Sequence, residues 1–81
     1  MSLEREQLRV NKTNLEFQIR KLKANIESLC TVIRSNLYPA LNGVENMKVP
    51  EAVEQMDELV QLWTALQVAL SDLGRVNGEL L

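Results

Sequence analysis

Apolar residues in the first half of the chain repeat with a period of seven. Leu8, Leu15, Leu22 and Leu29 form one column, and Ile19, Ile26 and Ile33 follow the preceding leucines by four positions. With leucine at d and isoleucine at a, sustained over about four heptads, this predicts an amphipathic, coiled-coil-like helix. Its expected limits are about residues 2–37. Ser2 is placed to cap it, and Glu4 and Glu6 stand in the first turn, where the helix dipole favours acids. Lys12 is the one charged residue among the a positions.

Tyr38-Pro39 ends that segment, because the residue before a proline is driven out of helical geometry. Asn42-Gly43 signals a turn, and Val49-Pro50 signals a restart with proline at the first helical position. A connection over 38–49 is long for two packed helices. Leu37, Leu41, Val44 and Met47 are therefore expected to fold down over the end of the hairpin, and Pro39 to Asn42 to form a turn of helix.

The second helix is expected over 50–73, with a possible extension to 80 across Gly74 and Gly78, each of which costs about 1 kcal/mol relative to alanine in a helix interior. Its seam reads as Ala52, Leu59, Leu66, Leu73 and Leu80 with Met56, Trp63, Leu70 and Asn77. Folding the helices antiparallel predicts a register in which Leu29 faces Met56, Ile26 faces Leu59, Leu22 faces Trp63, Ile19 faces Leu66 and Leu15 faces Leu70. Lys12 and Asn77 then share the open end. The fold class is all-α: an antiparallel two-helix hairpin forming one domain over 1–81, expected to assemble into a helical bundle by dimerisation.

That expectation comes from apolar residues the hairpin seam does not use. Leu3, Val10, Phe17 and Ala24 recur at sevens on the outer face of the first helix. The second helix adds Val53 and Val60 on one flank of its assigned seam, and Leu62, Ala69 and Val76 on the other. Two helices cannot bury all of these, and a four-helix bundle can. The candidate interaction residues are thus Leu3, Val10, Phe17, Val53, Val60, Leu62, Ala69 and Val76. The expected partner is a second copy in a homodimer or, as the alternative, the helices of a larger complex in which the chain is an adaptor or chaperone-like subunit.

Length sharpens this reading. A chain of 81 residues rarely holds a fold with margin unless disulfides, a metal or association support it. Cys30 is the only cysteine and histidine is absent. An intrachain disulfide is excluded, and so are the commonest zinc ligand and the commonest general base. The net charge of −2 is mild but unevenly spread. Residues 1–37 carry seven bases against four acids, whereas residues 50–81 carry six acids against Arg75.

Each patch that suggests chemistry has a plainer reading. Glu51, Glu54, Asp57 and Glu58 form a solvated helix face rather than a metal site, since carboxylate metal bundles add Glu-x-x-His pairs. Cys30, one turn before Arg34, is a small packing residue beside the seam. Arg20, Lys21 and Lys23 are too sparse for a nucleic-acid stripe and lack the basic region of a zipper. Asn11-Lys12-Thr13 matches a glycosylation sequon without any secretory signal. No apolar run approaches the roughly 18–20 residues of a membrane span. The chain is thus expected to be cytoplasmic and non-enzymatic, without cofactor or metal, and to bind no nucleic acid, membrane or small-molecule substrate.

Overall fold

The computed structural model describes residues 2–81, with side chains from Leu3 onward. Two long helices dominate it: α1 over Ser2–Asn36 and α3 over Val49–Leu80. Between them lie a single turn of helix, α2, over Pro39–Asn42 and a 3-10 turn over Val44–Asn46. Among the described residues there is no strand. α1 and α3 pack against each other along their length as a helical hairpin. Ser2 is already helical, and the side chain expected to cap α1 lies outside the described residues.

The molecule is a rod of 64 × 15 × 15 Å with a radius of gyration of 18.3 Å. A compact domain of this length has a radius near 12 Å. The difference follows from topology, because two helices side by side share one seam and enclose no third layer. Burial is accordingly thin. Ile19, Ile33, Ala52, Ala69 and Val76 are the buried apolar residues, and no large side chain is sealed completely.

On α1 the seam is the expected one: Leu8, Lys12, Leu15, Ile19, Leu22, Ile26, Leu29, Ile33 and Asn36 are all buried or half-buried. Lys12 lies half-buried within it, as a long side chain whose stem covers apolar surface while its ammonium reaches water. Cys30 is half-buried at the edge with a free thiol.

On α3 the seam is rotated from the expected one. The column Ala52, Leu59, Leu66, Leu73, Leu80 faces α1, but its companion is Gln55, Leu62, Ala69 and Val76, three residues on rather than four. Met56, Trp63 and Leu70 are exposed instead, as is Asn77. The register shifts with the rotation. Leu29 lies beside Glu58 and Leu62 rather than Met56, Leu15 beside Asp72 and Val76 rather than Leu70, and Ile19 beside Leu70 and Leu73 rather than Leu66. Trp63 is 55% exposed, so it is not the core layer opposite Leu22 that the heptad predicts. Size explains the choice. A two-helix seam has no room for a bulky indole layer, whereas Ala52 and Ala69 are short enough to let the helices close.

The connection is held by hydrogen bonds more than by packing. The Asn42 side-chain amide donates to the Ser35 carbonyl at 2.7 Å, and the Lys48 backbone N–H donates to the Asn36 carbonyl at 3.1 Å. Gly43 ends α2 at φ 78°, ψ 146°, a conformation that side chains with a Cβ resist. Met47 is half-buried, but Leu37, Leu41 and Val44 stand exposed with Tyr38. They do not fold over the end of the hairpin as expected. Four residues of helix and three of 3-10 turn use the chain length a descending loop needs, and leave an apolar tip.

α3 runs unbroken through Gly74 and Gly78 to Leu80. The Arg5 guanidinium donates to the Leu80 carbonyl at 2.9 Å, satisfying one of the orphan acceptors at the helix end and tying the open end of the hairpin.

Candidate interaction face

Rotating the α3 seam by one position gathers most of its other large apolar residues onto a single stripe, with the exposed Val68 standing off it. Val49, Val53, Met56, Val60, Trp63 and Leu70 all stand exposed, at intervals of four and three residues broken once by Gln67. That spacing is itself a heptad seam, displaced around the helix from the one that meets α1. It extends about 30 Å along the axis. One helix thus carries two adjacent apolar seams, and only the first has a partner.

The stripe lies on a definite side of the hairpin. The groove at Leu70 and Leu73 is walled on the α1 side by Glu16, Arg20 and Lys23. Trp63 and Met56 stand one and two heptads before Leu70 and share that side. The opposite groove is polar, with Asn11, Asn14 and Gln18 of α1 set against Asp72 and Arg75 of α3. Farther along, Asn25 and Ser28 stand with Leu29 and the exposed Val32 across from Glu58 and Leu62. The hairpin therefore has one flank that is polar toward its open end and one flank where α3 is apolar beside a charged α1.

The residues singled out from the sequence divide between these regions. Val53 and Val60 lie on the stripe, and the structure adds Val49, Met56, Trp63 and Leu70 beside them. Leu62 is half-buried, Ala69 is 6% and Val76 4% exposed, and all three belong to the intramolecular seam; they are not outer-surface residues. Leu3, Val10 and Phe17 are exposed on the far face of α1. Seven residues separate each from the next, so they form isolated apolar islands between polar neighbours rather than a filled seam.

The sequence signal for this rotation is Gln55. The Asn36 amide donates to the Gln55 side-chain oxygen at 2.7 Å in a partly buried layer near the tip. Asn36 is the polar residue at the last seam position of α1, and near the tip Gln55 supplies its polar companion on α3. A polar pair in an otherwise apolar seam costs some stability and fixes register.

Charge does little inside the hairpin. Among the described residues the only ion pair is Arg75 with Asp72 at 3.6 Å, exposed and within α3, worth little in water. The excess bases of α1 and acids of α3 do not pair across the seam. Glu51, Glu54, Asp57 and Glu58 are exposed, and no group of three or more His, Cys, Asp or Glu among the described residues is arranged to hold a metal ion. No helix among them is long and apolar enough to cross a membrane. Compared with protein-family models, curated proteins and solved structures, the chain matches none.

Proposed function

We propose that the chain is a non-enzymatic structural and protein-interaction module that self-associates through its helices, with the outer stripe of α3 as the contact. The observation that carries this is the second heptad seam from Val49 to Leu70, apolar at six positions and without a partner in the hairpin. Apolar side chains of this size stabilise by roughly 1.5–3 kcal/mol each when they leave water. An exposed stripe of them is characteristic of an interaction site.

Surface area supports an assembled state. The chain exposes 6253 Å², whereas a compact monomer of its 9.2 kDa exposes about 4,900 Å². The excess exceeds the roughly 800 Å² that each partner contributes to a standard interface.

Light scattering after size exclusion at tens of micromolar tests the reading. The wild type is expected at twice the chain mass, and Trp63→Glu at the monomer mass with its helical circular dichroism retained. A wild-type monomer over that range overturns self-association. The second reading, an adaptor or chaperone-like subunit of a larger helical complex, draws on the exposed Tyr38, Leu41 and Val44 at the tip. It predicts low stability for the isolated chain and a marked rise when the partner helices are added.

A further inference from the structure

We infer that the partner on the α3 stripe is a second copy of the chain lying antiparallel, with its two-fold axis passing between Val60 and Trp63. This rests on the self-association proposed above and adds orientation and register to it. The stripe is complementary to its own reverse. Turning α3 end for end about that point sets Val60 against Trp63 of the second copy, Val53 against Leu70 and Met56 against Gln67. Each layer then joins a larger side chain to a smaller or more flexible one, which is how facing positions interdigitate. A parallel arrangement would stack Trp63 on Trp63 and leave Gln67 facing Gln67.

Three further features fall into place under the same rotation. Gly74 continues the stripe beyond Leu70, and nothing lies within 4 Å of where its Cβ would stand. It is a costly residue inside a helix, and the two-fold brings Val49 of the second copy to that gap. Leu81, fully exposed at the end of the chain, comes level with the exposed Leu41 and Val44 of the other copy's tip. Along the outer edge of the stripe stand Asp57, Thr64 and Ser71. The antiparallel fit sets Asp57 beside Thr64 of the second copy. The stripe residues, each roughly half exposed, together present on the order of 500 Å² per copy, so the pair reaches the about 1,000 Å² expected of a specific interface.

Spin labels distinguish the arrangements. In a Cys30→Ala background, a label at Gln61→Cys sits near the axis, and one at Arg75→Cys sits far from it. The antiparallel dimer predicts a short distance between labels at 61, and at 75 an axial separation of about 40 Å, from the helical rise of 1.5 Å per residue. In a parallel dimer the two positions give similar short distances. Light scattering on the same samples separates the two possible failures. A monomer overturns self-association itself, whereas a dimer with equal distances overturns only the antiparallel register. Gly74→Leu is a second test, expected to weaken the dimer by roughly tenfold or more through overpacking, with Arg75→Leu next to it leaving the dissociation constant unchanged. Equal dissociation constants for wild type and Gly74→Leu overturn the register.

Discussion

The two long helices of this hairpin use the heptad differently. α1 devotes most of its large aliphatic residues to one seam, from Leu8 to Ile33, and carries charges, amides and separated apolar residues (Leu3, Val10, Phe17 and Val32) over the rest of its circumference. α3 carries a mixed seam of leucines with alanines, Gln55 and Val76, and places bulkier residues, Met56 and Trp63, on a neighbouring stripe in the open. A helix with one seam is finished once it has one neighbour, and a helix with two seams is not. On the proposed reading, α1 folds the hairpin, and α3 both folds it and offers the contact surface.

The largest break in that comparison comes from the α1 seam itself. Ile19 is 5% exposed, and truncating a buried isoleucine removes packing that two helices cannot rebuild. Ile19→Ala is expected to destabilise by about 2–5 kcal/mol, read from chemical denaturation. The same experiment on the α3 stripe, at constant monomer mass, should change stability far less. A loss under 1 kcal/mol at Ile19 would mean that the seam packs loosely and that α1 does not organise the fold.

The middle-sized effect concerns register. Asn36→Leu leaves the Gln55 amide without its partner in a partly buried layer, for an expected cost of about 1–3 kcal/mol. Replacing both with leucine should recover that loss and loosen the discrimination between registers, since a polar layer penalises slippage. Double-mutant analysis checks it: additive losses would show that the two amides do not act on one another.

How far the sequence foretold this structure varies along the chain in a way those two residues explain. On α1, large aliphatic residues stand at every seam position except Lys12 and Asn36, so periodicity alone identifies the buried face. On α3 the column Ala52–Leu80 is flanked by two rival columns, and hydrophobicity by itself favours Met56, Trp63 and Leu70 over Gln55, Leu62, Ala69 and Val76. The structure takes the less apolar column, because side-chain volume and the Asn36–Gln55 pair outweigh transfer energy when the seam is only two helices wide. The apolar tip was not legible for another reason. Whether Leu41 and Val44 turn inward depends on where the chain spends its residues between Tyr38 and Lys48, and local signals such as Pro39 and Gly43 mark the turns without giving their direction.

The smallest expected effect is the most discriminating between the helices. Phe17 is 58% exposed on the far face of α1, slightly more open than Trp63 at 55%, and exposure alone would rank the two as equal candidates for a contact. Their surroundings differ. Trp63 has Val60 and Met56 three and seven residues before it and Leu70 one heptad after, whereas the nearest apolar residues on the Phe17 face are Val10 and Ala24, a full heptad away on either side. An isolated aromatic island cannot seat a helix, because the positions between must also lose water and here they are polar. Phe17→Glu is therefore expected to stay within about 0.5 kcal/mol of wild type in stability, as surface changes usually do. It should also leave the mass by light scattering unchanged, under conditions where Trp63→Glu gives monomer. If Phe17→Glu dissociates the assembly with helicity retained while Trp63→Glu does not, the surface belongs to α1, and the two helices have exchanged the roles assigned to them.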